Sequence, residues 1–252
     1  MDHIDLHQES RLHRMGVMST ALPPAITRID RILKTLETAY PTATCSLHFT
    51  NPLELLVATI LSAQCTDALV NKVTAELFHT YRTASDYAQA SLPTLEQAIS
   101  RVNFYRNKAK SIQAACRLLV ERFGGQVPRC MDDLLQLPGV ARKTANVVLG
   151  NAFDVQAGIV VDTHVMRLSQ RLRLSAQTDR EKIERDLMAL IAQPRWTRFG
   201  HQMIAHGRAC CTAKAPQCPT CPLGPALCPS HTVSTASRSS PAAVRSTRRP
   251  QA

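Results

Sequence analysis

The chain has 252 residues, 44% hydrophobic and 19% charged, a balance that builds a globular core and excludes an intrinsically disordered chain. A formal net charge of +11 points to a polyanionic partner, nucleic acid ahead of an acidic membrane surface. Nine cysteines, an odd number with four close together near the C-terminus, suit a reduced compartment and a metal or cluster site better than a disulfide framework.

No run approaches the roughly 18 apolar residues of a membrane span. The N-terminal MDHIDLHQESRLHRMG lacks the apolar stretch of a secretory signal. A soluble protein of the cytoplasm is the expectation, associated with the nucleoid if the source is bacterial. The charge is uneven: no Asp or Glu follows Asp186, whereas Arg195, Arg198, Arg208, Lys214 and four arginines of the last fifteen residues do.

Residues 1–24 have no sustained period and are expected to form a mobile extension. From Ala25, Ile26, Ile29, Ile32, Leu33 and Leu36 recur at helical spacing until Pro41. Asn51-Pro52 is an N-cap followed by proline at the first helical position, and the nearly all-apolar LELLVATILSAQ behind it predicts a buried helix. Thr66 or Asp67 caps the next helix, with Leu69, Val70, Val73, Leu77 and Phe78 inward. A short helix is expected over 94–100. Another begins at Asn107 and ends at Gly124-Gly125.

Met131 to Leu135 then leads through Leu137-Pro138-Gly139-Val140 into a helix that ends near Gly150. Residues 152–161 have strand-like composition, but one isolated strand forms no sheet, so they read as extended linker. Asp162-Thr163 opens a further helix, Thr178 with Glu181 reads as a capping box, and Trp196 to His206 is a last helix. Residues 230–252 are Ser, Thr, Ala, Pro and Arg in the main and are expected to be a disordered basic tail. The fold class is all-α.

LPGVARKTAN at 137–146 and VDTH at 161–164 carry the chemistry. A turn glycine before a helix start presents unpaired N–H groups that bind a phosphate, directly or through water or an ion. Lys143 lies in the first turn, and Asp162 follows nineteen residues later. Spacing alone slightly favours a phosphate-contacting surface lysine and an aspartate that only caps a helix.

The two motifs together resemble the endonuclease III family of bifunctional DNA glycosylases, which remove oxidised pyrimidines through a helix-hairpin-helix. The resemblance covers about residues 25–230. It implies two helical domains with a DNA-binding cleft between them: 46–155, six helices carrying the hairpin, and 25–45 with 156–229, carrying an iron–sulfur cluster. It makes Lys143 the nucleophile and Asp162 its assistant. The reaction is base excision through a lysine Schiff base, then β-elimination at the abasic site.

The implied partner is double-stranded DNA containing oxidised pyrimidines or abasic sites, bound by a monomer. Gln64 and Phe104 match the family residues that enter the duplex from opposite sides. Gly139, Val140 and Ala141 form the DNA-binding hairpin, and Arg106, Lys108, Arg142 and His164 are expected phosphate contacts.

Two positions depart from the family pattern. Ala141 replaces a glycine, harmless if the backbone there is helical and costing ~1 kcal/mol or more if φ is positive. Asn103 also stands where the family often has glycine, and asparagine tolerates a left-handed conformation.

Cys211, Cys218, Cys221 and Cys228 read C-x6-C-x2-C-x6-C. Four thiolates in one loop suit zinc or a [4Fe–4S] cluster, and spacing does not choose between them. The resemblance implies [4Fe–4S]; the last interval is one residue longer than in the family. Cys210 is a spare. Cys45, Cys65, Cys116 and Cys130 are expected to be ordinary thiols, mostly buried.

Two rivals remain at this point. Adenine glycosylases of the superfamily share the cysteine loop but lack the hairpin lysine. A redox-sensing DNA-binding protein would need neither Lys143 nor Asp162.

Overall fold

Helices carry nearly all the regular structure of residues 24–232, the part of the chain that the computed structural model describes. Both expected terminal extensions fall largely outside these residues. Among the described residues there is no strand, and no helix is long and apolar enough to cross a membrane. The linker before Asp162 forms no strand, but it is not extended throughout: the preceding helix includes Ala152, Asp154 turns at φ 53, and the Val155 N–H bonds back to the Leu149 carbonyl.

Helix α1 (Ala25–Ala39) buries Ile29, Ile32, Leu33 and Leu36 along one stripe. Helix α2 (Pro52–Ser62) is buried from Leu55 through Leu61, and its N-cap Asn51 accepts from the Glu54 N–H while Pro52 occupies the first turn. Thr66 caps α3 (Asp67–Thr80). Two short helices follow, α4 (Ala84–Gln89) and α5 (Leu92–Ala98). Helix α6 (Tyr105–Phe123) closes on Gly124 and Gly125, both at positive φ, with the Gly125 N–H bonded to the Leu119 carbonyl.

The hairpin consists of α7 (Met131–Leu134) and α8 (Arg142–Ala152). Helices α9 (Thr163–Arg171), α10 (Arg180–Leu190), α11 (Trp196–Ala209) and α12 (Gly224–Leu227) follow in the described residues.

Two apolar clusters divide these elements. One runs from Leu47 to Leu149 and centres on Leu55, Leu61, Tyr87, Ile112 and Leu119. The other joins Ile29, Ile32 and Leu36 of α1 to Val165, Leu168, Ile183, Leu187, Phe199 and Met203. Helix α8 packs on α2 in the first cluster and also meets α11 of the second. At that crossing Gly150 lies so close to Thr197 that a Cβ would sit 2.4 Å from its Oγ1.

Four local expectations need correction. Residues 46–155 hold seven helices rather than six, because α4 is started by a Thr83–Asp86 capping box and pinned by Tyr87. Helix α5 begins at Leu92, with Pro93 in its first turn, rather than at Thr94. Helix α6 begins at Tyr105, two residues before Asn107. Asp179, not Thr178, caps α10 by accepting from the Lys182 N–H, a carboxylate being at least as good an acceptor there as a hydroxyl.

Candidate active site and cysteine cavity

The hairpin turn explains where Lys143 ends up. Gly139 has φ +81, and a Cβ on it would lie 2.8 Å from the Ser111 Cβ of α6, so only glycine fits this close approach. Ala141 is extended, at φ −95 and ψ 170, neither helical nor left-handed, so alanine carries no strain there. It is the N-cap of α8 and offers no side-chain cap, which leaves the first N–H groups of α8 without a capping oxygen.

Lys143, the second residue of that helix, is exposed. Asp162 caps α9 from the other cluster: its Oδ1 accepts from the His164 and Val165 N–H groups, each at 2.8 Å. Lys143 and Asp162 line one cleft of about 120 Å³, together with Cys45, Ser46, Asp67, Asn151, His201 and Arg208.

Polar struts cross between the clusters, one set in a neighbouring pocket that Arg142, Asn146 and Glu184 line with Lys143, another in the cleft. Arg142 donates from Nε to Glu184 Oε2 at 2.8 Å and from Nη2 to Oε1 at 3.2 Å. Asn146 Nδ2 donates to the same Oε1 at 2.8 Å. Glu184 is buried, and its bond raises the Arg142 guanidinium pKa above its ordinary value. In the cleft itself Arg208 holds Asp67 at 2.7 Å and Ser46 Oγ at 2.9 Å. His201 Nε2 lies 2.7 Å from Asn151 Oδ1, and burial lowers the pKa of its imidazole.

Gln64 and Phe104 both sit at exposed turns with positive φ, 53° and 57°, and Phe104 is 60% exposed. The left-handed residue is thus Phe104 itself, whereas Asn103 uses its side chain to donate to the Gln64 carbonyl at 2.7 Å. Lys108 is corrected. It is only 6% exposed, and its Nζ donates to the Leu61 and Ala63 carbonyls at 2.7 and 2.6 Å, so it faces the interior and is not a phosphate contact.

Of the other expected contacts, the Arg106 side chain is 72% exposed. Arg142 is largely committed to Glu184. His164 is half-buried beside Arg167, with 3.2 Å between Nδ1 and Nη2.

Cys211, Cys218, Cys221 and Cys228 line a second cavity of about 230 Å³, joined there by Cys210, His206 and Arg171. Ligand atoms of His206, Cys210 and Cys221 lie within 4.8 Å of one another, a grouping able to hold a metal ion. Cys210 is buried in this cavity beside Cys211. Arg171 braces the wall, donating to Cys211 Sγ at 3.1 Å and to the Thr212 and Ala213 carbonyls. Of the remaining cysteines only Cys116 is fully buried; Cys45 and Cys65 are half-buried and Cys130 is exposed.

Comparison with known proteins places the chain in a family. Residues 57–193 match the model of the HhH-GPD superfamily base excision DNA repair proteins. Endonuclease III of Synechocystis sp. is 57% identical over 203 residues, covering 81% of this chain and 92% of that protein. The chain belongs to the endonuclease III family. The Bacillus subtilis endonuclease III is 46% identical over 197 residues, covering 78% of this chain and 90% of that protein. A solved structure of a trapped endonuclease III–DNA covalent intermediate superposes with a TM-score of 0.78 at 48% identity, covering 82% of this chain and 96% of that one.

Three residues that brace the cleft and the cysteine cavity escaped the sequence reading. Glu184 stands in an apolar stripe with Leu187, Met188 and Ile191, and a carboxylate in such a stripe signals a buried partner. His206 precedes Cys210 by one helical turn, a spacing that places both on one face. Arg28 of α1, buried and donating to the Leu172 and Leu227 carbonyls, carried no sequence signal.

Proposed function

We propose that Lys143 is the nucleophile and Asp162 its partner in a bifunctional base-excision DNA glycosylase and abasic-site lyase. The chain acts on oxidised pyrimidines in duplex DNA. The observation that carries the assignment is that a lysine on the hairpin helix and an aspartate from the other apolar cluster line one cleft.

The chemistry follows from that placement. The neutral amine of Lys143 forms a bond to C1′ as the C1′–N bond to the base breaks, and the base leaves with the electron pair and takes up a proton. Asp162 offsets the positive charge that develops on the sugar and accepts the proton released by the attacking amine. Its Oδ1 is anchored by two backbone N–H groups, which holds the carboxylate at the mouth of the cleft. Opening of the sugar ring gives an iminium, which acidifies the C2′ hydrogens. Loss of one of them expels the 3′ phosphate, and hydrolysis then frees Lys143.

To expose C1′ the nucleotide leaves the stack, at a cost of a few kcal/mol. Gln64 and Phe104, exposed on adjacent turns, fill the gap it leaves. The uncapped N-terminus of α8, with Gly139, Val140 and Ala141 before it, takes the DNA backbone. Arg106 adds a phosphate contact, and His164 another beside the cleft.

The clusters correspond to two domains, 46–155 and 25–45 with 156–229, and the cleft is their junction. Cys211, Cys218, Cys221 and Cys228 hold a [4Fe–4S] cluster in the second. The donor set fits: soft thiolates surround a cavity braced by the cationic Arg171. When bound, such a cluster would be held by these four thiolates and would tie together a segment poor in apolar side chains. The protein acts as a monomer and, in a bacterial cell, on the nucleoid.

The test is release of a single oxidised pyrimidine from a duplex, followed by strand cleavage. Lys143→Gln must lose both steps while DNA binding persists. Release without any cleavage by the unmodified protein would contradict the lyase assignment.

A further inference from the structure

Gln64 and Phe104 come from segments forty residues apart, yet the fold does not leave them independent. Each sits in the left-handed region, which residues other than glycine enter only when their surroundings hold them there. The surroundings here are three hydrogen bonds. Asn103, next to Phe104, donates from Nδ2 to the Gln64 carbonyl at 2.7 Å. Lys108 donates from Nζ to the carbonyls of Leu61 and Ala63 at 2.7 and 2.6 Å. These carbonyls belong to the C-terminal end of α2, where unpaired acceptors and the negative pole of the helix favour a cation.

The backbone of Lys108 completes the link: its N–H donates to the Phe104 carbonyl at 3.1 Å. One residue therefore holds the turn before Gln64 with its ammonium and the Phe104 turn with its main chain. Lys108 is buried with its charged end satisfied in this way. Glycine, the residue the family often has at 103, has no side chain to make the Asn103 bond, so that tie belongs to the sequence of this chain.

We infer that Asn103 and Lys108 are positioning residues that lock the Gln64 turn and the Phe104 turn into one two-pronged wedge. The wedge enters both sides of the damaged base pair in a single step. Two separate flexible turns would each have to be ordered at the moment of binding, whereas a prefabricated wedge meets that entropy cost during folding. The inference rests on the insertion roles proposed for Gln64 and Phe104.

The experiment places 2-aminopurine beside the lesion and follows base unstacking by stopped-flow fluorescence. Asn103→Asp replaces the donor with a carboxylate facing a carbonyl and slows unstacking roughly fivefold, the scale of one lost hydrogen bond. Lys108→Met, which removes two charge-assisted bonds, slows it roughly tenfold. Asn103→Asp and Gln64→Ala combine less than additively, because both act on the same turn.

In single-stranded abasic DNA, where nothing must be unstacked, Asn103→Asp is trapped by borohydride at a rate within about twofold of the unmodified protein. A general loss of structure would not spare this reaction. Should Lys108→Met fail to fold, the exposed Asn103 carries the test alone.

Unmodified unstacking rates for Asn103→Asp, alongside slow Gln64→Ala and Phe104→Ala, would overturn the coupling and leave the insertion roles intact. Unmodified rates for Gln64→Ala and Phe104→Ala would remove the insertion roles, and the wedge with them.

Discussion

Arg142 and Glu184 form a two-point ion pair between α8 and α10, with Nε–Oε2 at 2.8 Å and Nη2–Oε1 at 3.2 Å, one residue before Lys143. Because Glu184 is buried, the pair sets how the hairpin helix sits against the second cluster.

Removing one partner should therefore cost more than removing both. Arg142→Met leaves a buried carboxylate held by Asn146 alone, at about 2 kcal/mol after discounting for the partly exposed arginine. Thermal unfolding is expected about 4–8 °C lower. The double variant with Glu184→Met recovers at least half of that loss. Equal midpoints for the single variant and the unmodified protein would show that the pair does not brace the junction.

Much of this arrangement was legible in the sequence, for identifiable reasons. Asn51-Pro52, Gly124-Gly125 and Asp162-Thr163 carry capping chemistry that acts locally, and each stands at a helix end as read. Lys143 and Asp162 were recognisable from motif and spacing, and they line one cleft. Lys108 was misread because a lysine near other cations suggests a surface. Its partners are main-chain carbonyls forty-five and forty-seven residues away, which leave no mark in a sequence. Arg28, whose partners are also distant main-chain carbonyls, is hidden for the same reason.

Salt dependence separates the cations. Arg106→Met should lower the slope of log affinity against log salt by about one, as loss of a phosphate contact does. Lys108→Met should leave the slope unchanged, because its ammonium faces carbonyls. A reduced slope for Lys108→Met would place that side chain on the DNA.

Gly139→Ala meets two obstacles, a positive φ and the Ser111 Cβ 2.8 Å away. The substitution is expected to lower stability by roughly 1–3 kcal/mol and to weaken DNA binding. Adding Ser111→Gly removes the clash but not the backbone strain, so the double variant recovers only part of the loss. Full recovery would mean that φ at 139 is not a constraint.

The buried His201 gives a pH prediction. Burial lowers its pKa from the ordinary 6.5, so below pH 6.5 the unfolded chain binds the proton more readily than the folded one. The stability tied to neutral His201 is complete above that pH and is lost as pH falls towards the folded value. His201→Gln, which can still bond Asn151, should flatten the decline in unfolding midpoint between about pH 7 and pH 5. An unchanged decline would assign it to other groups.

The cysteine cavity makes a prediction about ligands. Purified protein should be brown, with broad visible absorption from iron–sulfur charge transfer, and Cys218→Ser should lose the colour. Cys210→Ser should keep it if Cys211 is the ligand. Bleaching by Cys210→Ser with colour retained in Cys211→Ser would exchange the two, and a colourless zinc-loaded protein would rule out the cluster.

The most direct test of the central claim uses a duplex with one oxidised pyrimidine, borohydride and a denaturing gel, followed by peptide mapping of the adduct. A covalent protein–DNA adduct on Lys143 is expected, abolished by Lys143→Gln and much slower to form with Asp162→Asn, while both variants still bind the duplex. An adduct on another residue, or one that survives Lys143→Gln, would contradict the assignment of the nucleophile.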